Sequence, residues 1–269
     1  MPTIVEQQVP VLVESAVKNY AKSFSRRHLK QRNNPSGTIN MKIHNVFVEA
    51  LGPETRFYSA LVRSLDSSLG DMLEKLALDI ARLNFDVHRS VQGILYTVQT
   101  NFVAELLEDY VSHRRTPSAT DYLALRGLTG GTPNNRRHES DYYLIDRSTE
   151  HHHLIELKIG GDLDNKKARS EKEAILEQYA ILSNGLHADS LISIHFATAY
   201  NRFGENQPWT QTRVLQFFAK EELLIGNEFW NFVSKSPDGY ELVLQSYKAS
   251  SHYITDALQD IRQTYLGGA

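Results

Sequence analysis

Two carboxylates and one amine stand close together in the stretch S-D-Y-Y-L-I-D-R-S-T-E-H-H-H-L-I-E-L-K-I-G-G, residues 140–161. Asp141 opens a run of β-favouring residues, and Glu156 and Lys158 sit one residue apart in a second, apolar run. In a strand, residues two apart share a face while the one between points away. Glu156 and Lys158 therefore project together, and Ile155 and Leu157 turn into the core. A hairpin turn centred on Ser148-Thr149 places Glu156 opposite Asp141 and Lys158 opposite Glu139. Asp146 stays too near the turn to join them. Hard carboxylate oxygens on adjacent strands suit Mg²⁺, which takes oxygen ligands and keeps several waters. Such an ion polarises a phosphoryl oxygen and lowers the pKa of a bound water. A lysine beside it can hold that water and balance charge on phosphorus. The trio is a minimal kit for phosphodiester hydrolysis.

A sheet-stabilising ion pair would use the same residue types. Two details favour chemistry. The run L-I-E-L-K-I is apolar on both sides of each charge, unlike an ordinary wet strand face. Gly160-Gly161 follows at once and lets backbone or ligand approach the strand end.

The elements that must position these groups are legible as periodicities. Val11, Leu12, Ala16, Tyr20 and Phe24 predict a helix over residues 4–32, ended by N-N-P-S-G at 33–37. A second helix runs from Pro53 to about Phe85, with a stripe of Phe57, Leu61, Leu65, Leu69, Leu73, Leu76 and Ile80 and a break near Ser67–Gly70. A third is expected over 93–115, lined by Leu95, Val98, Phe102, Leu106 and Tyr110. Residues 114–140 read as short irregular structure. After the hairpin, residues 166–184 form a helix with Ala174, Ile175, Gln178, Ile181 and Leu182 inward. Strands follow at 190–200 and 212–219, then helices to the end. Helices, then β-β-α-β-β, then helices predict an α/β fold: a central mixed sheet flanked by helices, with an N-terminal helical layer. We expect one domain over 1–269, with a mainly helical part (1–115), a catalytic α/β core (116–235) and a C-terminal helical part (236–269).

Composition narrows the class. At 41% hydrophobic and 23% charged, 269 residues suffice for a large core. The absence of cysteine excludes disulfides, thiolate metal sites and cysteine nucleophiles. No apolar run reaches the roughly 20 residues of a membrane span. M-P-T-I-V-E-Q-Q-V-P-V-L-V-E has no basic flank before an apolar core, so it is not read as a signal peptide, and a cytoplasmic location is expected. The net charge of −3 means that nucleic-acid binding must rest on local patches. One patch, F-S-R-R-H-L-K-Q-R, carries Arg26, Arg27, Lys30 and Arg32, and reads by itself as a solvated helix end. His151, His152 and His153 alternate faces and do not suggest zinc. Trp209 and Trp230 read as core or wedge aromatics, and G-L-T-G-G at 127–131 lacks the context of a phosphate loop.

At Asp141 and Glu-x-Lys the chain resembles the PD-(D/E)XK nuclease superfamily, and more narrowly type II restriction endonucleases. Position by position, Asp141 and Glu156 match the metal-binding acids and Lys158 the catalytic lysine. Ser140 stands where many members have Pro. A helix follows the motif strands, as D-N-K-K-A-R-S-E-K-E-A-I-L would here. R-F-Y-S-A-L-V-R-S-L, G-N-E-F-W-N-F-V-S-K and A-Y-N-R-F-G-E-N-Q-P-W-T-Q-T-R are similar to segments of the branch cutting GGNCC-type sites. The resemblance implies a Mg²⁺-dependent endonuclease on double-stranded DNA that leaves 5′-phosphates, with the Leu157 carbonyl as a backbone ligand and a cognate methyltransferase in the host. Many members add an acid from the preceding helix. Glu105, on the border of the Phe102–Leu106 stripe, is the candidate, and Glu108 sits further round. A palindromic site implies a homodimer.

Phosphate contacts would come from Arg136 and Arg137, just before Asp141, and from Lys166 and Lys167 at the start of the following helix. Base reading needs Arg, Asn or Gln in the major groove. The loop with Asn201, Arg202, Asn206, Gln207, Gln211 and Arg213 supplies those groups. Two other functions use the same residues: a structure-specific repair or mobile-element nuclease of this fold, and a non-catalytic DNA-binding protein.

Overall fold

The computed structural model describes residues 3–161 and 163–267. They pack as two compact units, Met1–Asp79 with Glu241–Ala269, and Ile80–Tyr240.

The first unit is helical. Its α1 (Ile4–Lys30) starts at a capping box, in which the Glu6 amide donates to the Thr3 hydroxyl at 3.2 Å. Val5, Val9, Val13, Val17, Ala21, Phe24 and His28 form its buried stripe at helical spacing. A single-turn α2 (Val46–Glu49) follows, then α3 (Pro53–Ala81), which runs without interruption through Ser67–Gly70 where a break was expected. From the far end of the chain come α8 (Gly239–Ser250) and α9 (His252–Leu266).

The second unit is a five-stranded mixed sheet in the order β1 (Phe85–Tyr96), β2 (Pro133–Asp146), β3 (His152–Leu157), β4 (Ile192–Thr198) and β5 (Leu223–Ile225). The β1–β2 and β2–β3 pairs are antiparallel, and β3–β4 and β4–β5 are parallel. Around it lie α4 (Thr97–Val111), α5 (Asn165–Gly185), a single-turn α6 (Thr212–Leu215) and α7 (Asn227–Ser234). A parallel pair needs a crossover, and α5 supplies it between β3 and β4. On one face, Leu154, Tyr143 and Val91 join Leu106 of α4 and Ile175 and Tyr179 of α5 in one core. On the other, Tyr142 meets Phe229 and Phe85 stacks on Phe232, both rings from α7. The α/β architecture is as expected.

Three further elements differ from the sequence expectation. Residues 93–96 belong to β1, so the third helix starts at Thr97. The sheet gains a strand because these residues pair with β2 along their length, with Val91 and Leu95 buried two steps of alternation apart on the α5 side and Phe85 buried on the other face. β2 starts at Pro133, inside the stretch read as irregular, because β1 gives it a ladder. Residues 212–219 are not a strand: Thr212–Leu215 is a helical turn whose Val214 enters the core beside Phe217 and Phe218. The fifth strand comes later, at Leu223–Ile225.

Candidate active site

The hairpin register is the one the turn chemistry implied. Tyr142 pairs with Ile155, Tyr143 with Leu154 and Ile145 with His152. The ladder stops at Tyr142–Ile155, one step short of Asp141. Pairing between β1 and β2 also breaks here: His88 faces Tyr143 and Ser90 faces Glu139, so Ser140, Asp141 and Tyr142 lie across from the single residue Arg89. Bulges of this kind bend a strand and re-aim a side chain. The Asp141 carboxylate turns to β3, where its Oδ2 accepts from the Leu157 amide at 3.0 Å. N–H and C=O of one strand residue point the same way, so the Leu157 carbonyl lies on the Asp141 side too.

Glu156 and Lys158 project together from β3, as alternation requires, while Ile155 and Leu157 are buried on the opposite side. The Lys158 ammonium bonds the Glu156 carboxylate. It also lies 3.1 Å from Oε1 of Glu171 on α5. Burial, and then the charge of Asp141, push the Glu156 carboxyl up to about 8 against the pull of Lys158. Burial works against the Lys158 ammonium, yet Glu156, Glu171 and Asp141 raise it above the ordinary lysine value. Three carboxylates thus gather around one ammonium at the end of a strand pair.

Glu171 was not singled out from sequence. It borders the buried α5 positions Ala168, Lys172 and Ile175, so a helical wheel puts it at the sheet-facing edge. The helix is fixed by Lys172, wholly buried, whose ammonium contacts both oxygens of Glu222 at 2.8 Å. Tyr122 and Phe218 flank it with their rings. Glu105, expected to turn inward, is exposed on α4, as is Glu108. The buried positions Val103, Leu106 and Leu107 show that the core-facing arc lies elsewhere. No group of three or more His, Asp or Glu placed to hold a metal ion occurs among the described residues.

The basic candidates fall into distinct settings. Arg136 and Arg137 are exposed on the outer half of β2 and, being adjacent, point to opposite faces. His138 reaches Glu177 of α5 at 3.0 Å, so alternation puts Arg136 on the α5 side with it. Arg137 turns away and pairs with Glu139 at 3.1 Å. Lys166 and Lys167 are exposed in the first turn of α5, where the Asp164 carboxylate caps the Lys167 amide at 2.8 Å. In the loop after β4, Asn201 is consumed by folding: its Oδ1 accepts from Phe203 N and its Nδ2 donates to the Gln207 carbonyl. It therefore shapes the loop instead of presenting a free amide. Arg202, Asn206, Gln207 and Arg213 are exposed, and Gln211 is half-buried.

Side chains from and just after β4 come close at Gly160-Gly161, and the nearest to Gly161 is the Thr198 methyl, 2.8 Å from where a Cβ would stand. A Cβ on Gly160 would meet the Tyr200 hydroxyl at 2.5 Å, and one on Gly161 would meet Trp209 at 3.2 Å. Trp209 and Trp230 are packing residues: Trp209 lies against Phe196, and the Trp230 indole donates to the Ala199 carbonyl. The three histidines also split as alternation demands. His152 bonds Tyr143 at 2.8 Å, while His151 and His153 stack on the other side, where His153 meets His195 at 3.3 Å.

A mixed sheet with an acidic pair and a lysine at the mouth of its central hairpin defines a candidate nuclease class. Residues 5–251 match the family model described as "Type II restriction endonuclease, HinfI", and the chain belongs to that family of endonucleases. Neither a curated protein nor a solved structure matches it. The description of that family names no recognition sequence, GGNCC-type or other. No helix is long and apolar enough to cross a membrane among the described residues.

Proposed function

We propose that the chain is a cytoplasmic, Mg²⁺-dependent enzyme of PD-(D/E)XK type that cuts both strands of duplex DNA at a specific palindrome and leaves 5′-phosphate ends. One observation carries the reading: Asp141 is held to β3 by the Leu157 amide, beside Glu156 and Lys158. The donor set fits the ion. Two carboxylates and a strand carbonyl are hard oxygens, and they leave coordination positions for water and substrate oxygens, as Mg²⁺ requires. Asp141, Glu156 and the Leu157 carbonyl would hold it, and when bound it supplies a polarised phosphoryl oxygen and a more acidic water.

The chain's own groups do the rest. The bulge and the Leu157 amide orient Asp141, so its free oxygen faces the site without reorganisation. Lys158 presents its ammonium to the attacking water and to the negative charge that grows on the phosphoryl oxygens. Glu156 and Glu171 fix where that ammonium stands. Arg136, Lys166 and Lys167 are assigned to flanking phosphates, with Arg137 on the far face of the same strand. Arg202, Gln207, Gln211 and Arg213 are assigned to base edges, with Asn201 shaping their loop. A palindrome is met by a two-fold homodimer with one site per strand, and a cognate methyltransferase would protect the host.

The test is digestion of plasmid DNA with Mg²⁺. The wild type gives discrete bands with 5′-phosphate ends, whereas Asp141→Ala and Lys158→Ala lose about 10²- to 10³-fold in rate, on the scale of removing one electrostatic stabiliser. Undiminished cutting by both variants would refute the site. Smearing without bands would point to the structure-specific alternative.

A further inference from the structure

Between Glu14 and Glu49 the chain carries seven Lys or Arg and no Asp or Glu, although its net charge is −3. The basic residues are arranged, not scattered. Lys18, Lys22, Arg26 and Lys30 recur every four residues on α1 and all are exposed. Together they line one wall of an open groove of about 750 Å³. The other wall is α9, with Tyr253, Ala257, Asp256 and Asp260. Lys18 lies 5.4 Å above the Tyr253 ring. Among the described residues no ion pair joins Lys22, Arg26 or Lys30 to Asp256 or Asp260. Arg32 extends the basic run past the helix end into the adjoining hollow with Leu29 and Asp260.

Like charges four apart on a helix repel and destabilise it. A merely solvated face would mix signs, yet α1 keeps three such steps in a row with no acid on the helix between Lys18 and Lys30. The charge is therefore available to an outside anion, and a repeating one matches it best. Four residues of helix rise about 6 Å, and one DNA strand offers a phosphate per roughly 3.4 Å of axis. Each side chain on the ridge can meet about every second phosphate.

We propose that the Lys18–Lys22–Arg26–Lys30 ridge is a sequence-independent docking surface for the sugar–phosphate backbone of duplex DNA, carried by the helical unit. This rests on the reading of the chain as an enzyme acting on duplex DNA. Asp256 and Asp260 bound the footprint on the α9 side by repelling phosphate there.

The experiment uses the full chain, a short duplex lacking any cleaved site, and no divalent metal. Binding is titrated from 50 to 300 mM salt for the wild type and for Lys18→Gln/Lys22→Gln/Arg26→Gln/Lys30→Gln, with thermal melting to check the fold. Each lost phosphate contact removes about 0.9 from the slope of log affinity against log salt. The fourfold variant should lose roughly 3 to 4 in slope and bind at least tenfold more weakly at 100 mM. Its kcat on a saturating, site-containing duplex should be unchanged. Asp256→Asn/Asp260→Asn, which adds no bulk, should bind more tightly and keeps the test open if the fourfold variant does not fold. An unchanged slope in a folded variant overturns the proposal, including the case in which an acidic protein segment is the true occupant. Lys158-dependent cutting by the wild type would then leave the nuclease reading intact, whereas a wild type that neither binds nor cuts duplex refutes that reading itself.

Discussion

Lys158 has two carboxylate partners from different elements, and they are not equivalent. Glu156 comes from the end of β3 and is one of the acids proposed to hold the metal, whereas Glu171 reaches the ammonium from α5 and is proposed only to position it. Glu171→Gln should therefore lower kcat roughly tenfold, the usual scale for a residue supporting a catalytic group, with KM for duplex unchanged. Glu105→Ala should leave both constants alone, since that carboxylate faces solvent. Single-turnover cleavage of a short duplex reads both variants, and a larger loss in Glu105→Ala than in Glu171→Gln would reverse their roles. The convergence of Asp141, Glu156 and Lys158 was legible because strand alternation and turn symmetry are local rules. Glu171 was not, since only the docking of α5 on the sheet brings it to Lys158.

At the scale of elements, α5 is anchored by the buried Lys172–Glu222 pair, which ties it to the turn before β5. Breaking a buried pair strands a charge, so Lys172→Met should cost about 3–5 kcal/mol. Lys172→Met/Glu222→Leu should regain most of that in urea denaturation. A single variant as stable as wild type would mean that Glu222 is relieved by water. The pair was invisible in sequence: S-E-K-E near a helix start reads as solvated charge, and its partner lies 50 residues away. β1 was misjudged for a different reason. Leu95, Val98 and Phe102 fit a helical period, while Val91 and Leu95 also fit period two, and only the pairing with β2 decides between them.

At the scale of the whole molecule, the fold buries histidines in both units. Burial, aided by neighbouring histidines, lowers His153 to about 3 and His195 to about 4, with Asp146 opposing at His153. In the helical unit, burial and then Arg27 lower His28 to about 4. Their unfolded value is near 6.5. Below that pH the unfolded chain takes up protons that the folded one refuses, so stability present above about 6.5 drains away toward pH 4. Each histidine contributes a slope of up to about 1.4 kcal/mol per pH unit. Urea midpoints should fall between pH 7 and 5, and His195→Gln should flatten the trend. A flat wild-type profile would contradict neutral burial. The α/β class was legible from the order of periodic segments. The division at Ile80, inside the continuous helix α3, was not, because no break in periodicity marks it.

The irregularity at Asp141 also inverts the phase of β2. Tyr143 sits in the α5-side core, yet His138, five residues earlier and of opposite parity, faces α5 as well, through Glu177. The strand is thus two rulers joined out of step, and the inner one sets no constraint on the outer. A one-residue insertion between Arg137 and the junction would exchange the two arginines between faces and leave the packing of Tyr143 as it was.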